Sequence, residues 1–314
     1  YRIGGRAALF VTCHSYHALR RCVDVLTRER VPWVIVGKGS NLLVSDSGYS
    51  GAVITLGREF SRTVLAEDGV TLTVGAGVIL ARLVNEALTK GLSGLEFAVG
   101  IPGTVGGAVS MNAGLRDAWV GSLIEDVVTY KPGEGIRHYA HDDVAWGYRE
   151  CGIPGDEIIL EATFRLAPGE KSDIRATMER HLARRRRTQP VGSASCGSVF
   201  RNPPGRSVGA MVEECGLKGF SVGGAEVSPV HANFIVNNGT ATARDVTAVI
   251  QHVRKQVKET YGVELQPEVK FLRMRPRPSN RRAPQARRAA LRHGPAAQGD
   301  KELLHRCREG RCRP

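Results

Sequence analysis

Gly100-Ile-Pro-Gly-Thr-Val-Gly-Gly-Ala-Val-Ser-Met-Asn-Ala-Gly114 is the stretch on which the reading of this chain turns. Five glycines fall in fifteen residues without low-complexity repetition, and each marks a place where a side chain would collide with something. Either exposed amides in tight turns approach a bound diphosphate or flat ring, or strands and turns simply pack closely there. The stretch also speaks against a membrane. Phe97 to Leu115 is the longest charge-free run, but its five glycines, Pro102 and Asn112 are not how a lipid-facing helix is written.

Upstream lies a second glycine loop, Gly37-Lys-Gly-Ser-Asn-Leu42, opening from the β-branched run Trp33 to Val36. Two glycines let a backbone come close to a phosphate, and Ser40 and Asn41 can hydrogen-bond to it. A Rossmann fingerprint would need a third glycine where Leu42 stands, followed by a helix; strand-like Leu42–Val44 follows instead. Taken alone, these six residues read first as a plain glycine turn.

Around the two loops the chain mixes helices and strands. Leu19, Cys22, Val23 and Leu26 make a helical face ended by Pro32, and strands are expected at 52–56 and 70–74. Leu80, Leu83, Val84, Ala87 and Leu88 make a second helix with Gly91 to stop it, and strands follow at 124–130 and 158–166. A helix from Ser172 ends in Arg184–Arg187, a run that reads as a solvated helix end or a phosphate site. Beyond Pro190 come a helix through Val208, Met211, Val212 and Cys215, an extended 232–236, and a helix opened by the capping box Thr242–Asp245 with Val246, Val249, Ile250, Val253 and Val257 inward.

The chain has 314 residues, enough for two or three compact units. Its formal charge of +13 is concentrated at the end: residues 275–314 carry 12 Lys+Arg against 3 Asp+Glu, leaving 32 against 28 in the body. No nucleic acid is therefore expected on the body, and the Arg- and Pro-rich tail is expected to be disordered. Seven scattered cysteines, without a CxxC pair or zinc-ligand spacing, point to a reducing compartment and no metal. The chain begins at Tyr1 without an apolar signal core, so any targeting segment is not shown.

Three smaller motifs carry possible chemistry. Ser195-Cys-Gly-Ser198-Val-Phe-Arg-Asn202-Pro203 puts a thiol and two hydroxyls beside a permissive glycine, or is a polar loop entering a strand. Gly205-Arg-Ser207-Val-Gly209 matches a hydrolase nucleophile elbow, but Pro203-Pro204 stand where its strand would run, so it reads as a chance match. His231 reads as a structural histidine, and Glu268 alone as a surface carboxylate.

Taken together, Gly37–Val44, Gly100–Gly114, Tyr148-Arg149, Gly197–Pro203, His231-Ala-Asn-Phe-Ile-Val-Asn237 and Pro267-Glu-Val269 resemble, in order and spacing, the MurB family of UDP-N-acetylenolpyruvoylglucosamine reductases. The resemblance covers about Tyr1 to Leu272, and the short connection from Tyr148 to Ile158 is similar to the family's shorter-loop subtype. It implies an α+β fold: a two-subdomain FAD-binding region of the vanillyl-alcohol-oxidase (PCMH) type over 1–168 (about 1–57 and 58–168). A C-terminal α+β substrate region over 169–274 follows, its last strand returning towards the FAD site.

The resemblance also implies roles. FAD is held by Gly37, Gly39, Ser40, Asn41 and Leu42 at the diphosphate and by Gly100, Ile101, Pro102, Gly103, Gly107, Ala108, Asn112 and Gly114 along the flavin. Ser198 is the proton donor, Arg149 and Glu268 support the reacting carboxylate, and Tyr148, Asn202, Arg185 and Arg186 bind substrate. NADPH would reduce FAD, and the enolpyruvyl UDP-sugar would then take hydride and a proton, in the cytoplasm of a bacterium and in a chain expected to be monomeric. By the family's pattern the chain is expected to start inside the first strand, since residues normally precede Tyr1-Arg-Ile-Gly-Gly5, and the family's ending is shorter than this tail.

The residues themselves leave one choice open. Cys196, a thiol of pKa about 8.5, is a better acid than a serine hydroxyl and would share a face with Ser198 if the chain were extended; only the resemblance favours Ser198. A non-enzymatic binding module gripping polyanions through its basic tail, and a hydrolase built on Ser207, are the competing functional classes.

Overall fold

The first strand is not at residues 1–5, where the resemblance put it, but begins at Ala7, where the sequence pattern hides it. β1 (Ala7–Cys13) turns Leu9, Val11 and Cys13 inward, but its outward face carries Ala8 and the 68% exposed Phe10, so no polar alternation betrays it. The structure, a computed structural model, describes residues 1–115 and 117–273; the expected disordered tail, 275–314, lies outside the described residues.

α1 (Tyr16–Arg28) starts where Ser15 accepts a hydrogen bond from the Ala18 amide, and it buries Leu19, Val23 and Leu26. β2 (Trp33–Ile35) leads into the first glycine loop, then come β3 (Leu42–Val44) and β4 (Tyr49–Leu56). The strands β1, β4 and β2 form a parallel sheet in that order. On β4, Ala52 and Ile54 go to the core while the alternate residues, Val53 and Thr55, face the other side.

The middle of the chain contributes β5 (Thr63–Leu65), β6 (Thr71–Gly75), α2 (Leu80–Lys90), the short β7 (Leu92–Ser93), α3 (Val105–Ser110), β8 (Ile124–Lys131) and β9 (Gly135–Ala140). A small hairpin, β10 (Trp146–Gly147) with β11 (Glu150–Cys151), precedes β12 (Ile158–Arg165) and β13 (Ala167–Pro168). The main sheet is antiparallel, ordered β5-β6-β12-β8-β9. A bulge in β12 between Ile159 and Glu161 separates Ile158 and Leu160, which pack on the α1 core, from Ala162 and Phe164, which pack on the α2 core. One strand thereby joins two hydrophobic clusters.

The central glycine stretch contains a helix rather than a chain of tight turns. Thr104 caps α3, accepting from the Gly107 amide at 3.4 Å. A Cβ on Gly106 would stand 2.8 Å from the Ala76 Cβ, so this helix can seat against β6 only with glycine there.

α4 (Lys171–Thr188) follows, and by packing it belongs with the middle of the chain: Ile174 and Met178 are buried in the α2 core, although the expected boundary fell at 168/169. Next come α5 (Val208–Glu214), β14 (Ser221–Val222), β15 (Ala225–Val227), β16 (Ile235–Asn237) and α6 (Ala243–Tyr261). β14-β15-β16 is an antiparallel sheet covered by α6, whose capping box forms as expected and whose Val246, Val249, Ile250, Val253 and Val257 are buried. Each such side chain contributes roughly 1.5–3 kcal/mol on leaving water. The expected extended run 232–236 is strand only from Ile235. Before it, Phe234 makes a single antiparallel bridge with Ser198, and the buried Asn233 side chain bonds both the amide and the carbonyl of Phe200.

β17 (Lys270–Leu272) then runs back to pair in parallel with β3. A second tie reinforces that return: Asp46, just after β3, accepts from the amides of Ala243 and Arg244 at 2.7 and 2.9 Å, at the start of α6.

Candidate active site

The outward residues of β4, the first glycine loop and α3 enclose a cavity of about 1100 Å³. Gly37, Gly39, Leu42 and Gly107 line it, as expected, together with Thr55 and Thr104, which the sequence reading missed. The period-two alternation of β4 was the available signal for Thr55; the Thr-Val-Gly-Gly start of α3 was the signal for Thr104. At Gly39 and Gly107 the wall is bare backbone. A Cβ on Gly107 would meet only Thr104 Oγ1, at 3.6 Å, and one on Gly39, at φ +66°, nothing nearer than 3.9 Å. A cavity this size, with walls that a Cβ would begin to fill, fits a dinucleotide-sized cofactor.

The two glycine loops are stitched together by side chains expected to face the ligand. Ser40 Oγ donates to the Pro102 carbonyl at 3.1 Å and Asn41 Nδ2 to Met111 Sδ at 3.8 Å, and Asn41 Nδ2 also reaches the Glu268 carbonyl at 3.1 Å. Gly37 has no room for a Cβ, which would lie 2.4 Å from Thr104 Oγ1. The loop's own amides are what remains for a diphosphate. Gly103, at φ +133°, faces Ser40 across the same seam.

Farther along, several of the residues expected along the flavin also have structural work. Asn112 is buried, with its Nδ2 donating to the Gly147 carbonyl and its Oδ1 accepting from the Gly121 amide, both at 2.8 Å. It braces the β10–β11 hairpin beside its turn. Ala108 is buried in the α2 core, and Gly114 is required by the carbonyl of Ala118, 2.4 Å from where its Cβ would be. A Cβ on Gly100, at φ +74°, would lie 3.3 Å from Arg185 Cδ and Leu182 Cδ2. Ile101 packs at the edge of that same core, and Pro102 is engaged through its carbonyl.

At the tip of the hairpin, Arg149 Nε donates to Glu268 Oε1 at 2.9 Å. Oε2 of Glu268 is buried and has no hydrogen-bond partner among the described residues. Burial raises the Glu268 carboxyl above its ordinary value, against the opposing pull of Arg149 and Arg201. Glu268 reaches this place through its amide, which donates to the Val199 carbonyl at 2.7 Å, so Ser198 is one residue away on the neighbouring segment. Among the described residues no hydrogen bond engages the Ser198 hydroxyl. Gly197, at φ +80°, breaks the extended run, so Cys196 and Ser198 do not share a face. Cys196 is instead buried in the α6 core, where desolvation pushes its thiol up to about 11.

The remaining expected contacts surround this pair. The Arg149 guanidinium lies 5.1 Å from the centre of the half-exposed Tyr148 ring, whose hydroxyl accepts from Asn202 at 3.4 Å. Asn202 Oδ1 in turn accepts from the Val208 amide at the start of α5. Of the arginine run, Arg185 turns inward: burial and then the nearby Arg149 charge lower its pKa. Arg186 is exposed. Ser207 only caps α5, accepting from the Ala210 amide, and no strand precedes it, so the hydrolase reading has no support. His231 accepts from the Asn233 amide through Nδ1, as befits a structural histidine. No helix among the described residues is long and apolar enough to cross a membrane.

The cavity and its glycine walls, with the Arg149–Glu268 pair tied to the first glycine loop through Asn41, belong to the class of flavin-dependent oxidoreductases with a PCMH-type FAD fold. The FAD binding domain family matches residues 7–131, and the C-terminal domain family of UDP-N-acetylenolpyruvoylglucosamine reductase matches residues 189–272. The reductase of Halalkalibacterium halodurans is 38% identical over 87% of this chain and 90% of its own, and that of Heliobacterium modesticaldum 43% over 87% of each. The crystal structure of MurB from Thermus caldophilus superposes with a TM-score of 0.73 at 36% identity, covering 83% of this chain and 91% of that one. The chain belongs to the UDP-N-acetylenolpyruvoylglucosamine reductase family, an FAD-dependent oxidoreductase family of peptidoglycan synthesis for which NADPH is the hydride donor.

Proposed function

We propose that this chain reduces the enolpyruvyl ether of UDP-N-acetylglucosamine to UDP-N-acetylmuramate with NADPH, in the cytoplasm, using Ser198 as proton donor. FAD, held by the backbone around Gly37, Gly39 and Gly107, supplies two-electron hydride chemistry when bound. The observation that carries the reading is the Arg149–Glu268 pair beside Ser198, with one carboxyl oxygen buried and unpartnered.

The residues divide the work by charge. Reduction at the terminal vinyl carbon leaves negative charge on the adjacent carbon and its carboxylate. Arg149, a permanent cation with a planar fork, stabilises that charge where it develops. Glu268 would repel it if ionised; the desolvation that raises its pKa favours the neutral acid, which can donate instead. Ser198 gives its proton to the carbon beside the carboxylate, a base strong enough to take it. Arg185, near enough to Arg149 for that charge to lower its pKa, adds cationic field for the UDP diphosphate; Tyr148 and Asn202 form the polar rim.

Purified protein tests the reading. We expect about one FAD released per chain on denaturation, slow NADPH oxidation alone, and rapid oxidation with the enolpyruvyl UDP-sugar, giving a product two hydrogens heavier. Flavin-containing protein that leaves this substrate unchanged would overturn it.

A further inference from the structure

Arg149 stands where an arginine backbone is disfavoured. Tyr148-Arg149 is the two-residue turn of the β10–β11 hairpin, closed by Gly147 opposite Glu150. The φ of Arg149 is +58°, in the left-handed region where a turn of this kind calls for Gly or Asn. Arg201, from the Gly197–Pro203 segment, holds this turn from the other side of the site. Its Nη2 donates to the Arg149 carbonyl at 3.2 Å and its Nη1 to Glu150 Oε1 at 2.6 Å. The fork therefore spans two successive residues of the hairpin. The backbone amide of the same Arg201 donates to the Gln266 carbonyl at 2.9 Å, two residues before Glu268. One residue is bonded both to the turn that carries Arg149 and to the segment that carries its partner.

We propose that Arg201 is a positioning residue: its guanidinium fork locks the Tyr148-Arg149 turn in the left-handed conformation that aims Arg149 at Glu268 and at the substrate carboxylate. The proposal rests on the functional reading above. Lysine cannot replace it, because a single ammonium does not present two parallel donors to acceptors on successive residues. Glu150, largely exposed on its side of the bond, orients the fork and does not reach the site itself.

The test uses FAD-loaded enzyme, with wild-type turnover of the enolpyruvyl substrate established first, so that a failure of the functional reading shows before any variant is compared. Flavin reduction by NADPH and reoxidation by substrate are timed separately in Arg201→Ala, Arg201→Lys, Arg149→Ala and the Arg149→Ala/Arg201→Ala double variant. We expect reduction within about threefold of wild type throughout, and reoxidation slowed roughly 10–100-fold in both Arg201 variants, the scale of a misplaced catalytic group. The double variant should be scarcely slower than Arg149→Ala alone, because Arg201 acts mainly through Arg149, its charge near Glu268 being the smaller contribution. Losses that multiply in the double variant, full activity in Arg201→Lys, or joint loss of FAD and both half-reactions in Arg201→Lys would each overturn the proposal. Arg201→Lys keeps the stem and charge, so the test stands even if Arg201→Ala does not fold.

Discussion

Arg149 and Glu268 are joined at 2.9 Å across 119 residues of sequence, one from a hairpin beside the FAD region and the other from the segment that returns as the last strand. The pairing explains why the chain folds back on itself: β17 on β3, Asp46 at the start of α6 and Asn41 on the Glu268 carbonyl all hold that return in register.

Glu268 should leave a pH signature in stability. Burial raises its carboxyl above the ordinary 4.5. A carboxyl whose folded pKa exceeds its unfolded value contributes no penalty below the unfolded pKa, and stability is lost as pH rises through the folded pKa. Glu268→Gln removes that titration. Urea midpoints measured upward from pH 4.5 should therefore shift in favour of Glu268→Gln relative to wild type; a difference that stays flat or moves towards wild type would contradict the raised carboxyl.

Gly107→Ala separates folding from cofactor binding. Its new Cβ has only ordinary contact with Thr104 Oγ1, and alanine suits a helix better than glycine by about 1 kcal/mol, so the apo-protein should keep its melting temperature or gain slightly. The same methyl enters the cavity wall, and FAD affinity measured by titration should fall about tenfold or more, the equivalent of at least 1.4 kcal/mol. Unchanged affinity would place the cofactor elsewhere.

Asp46→Ala removes both acceptors from the first amides of α6. The expected loss is about 1–2 kcal/mol of unfolding free energy, the upper part of the range for a helix cap, read as a lower urea midpoint. A variant as stable as wild type would show that the tie between the two ends of the chain contributes nothing.

What the sequence showed and hid follows from where each signal resides. α2 and α6 were legible because a buried stripe, a stop glycine and, in α6, a capping box agree along one short segment. β1 was not, because its solvent face carries Phe10 and Ala8. In the site, the family motifs named Arg149, Ser198 and Glu268, but residue types alone could not choose between Ser198 and Cys196. The structure separates the two by burial: beside the left-handed Gly197, the Cys196 thiol lies in the core while Ser198 is half-buried. For Asn112 the residue type carried no sign of its two short bonds to Gly147 and Gly121, which link segments far apart in the chain.

Ser198→Ala tests the central assignment most directly, followed by anaerobic stopped-flow at the flavin band near about 450 nm. Bleaching by NADPH needs no substrate proton, so it should proceed within a small factor of wild type. Return of the band on mixing with the enolpyruvyl UDP-sugar to form finished product should slow by about 10²–10⁴-fold, the value of a positioned proton donor. Cys196→Ala, measured beside it, should lose far less. If Cys196→Ala stalls product formation while Ser198→Ala does not, the thiol is the acid and the account of the site is wrong.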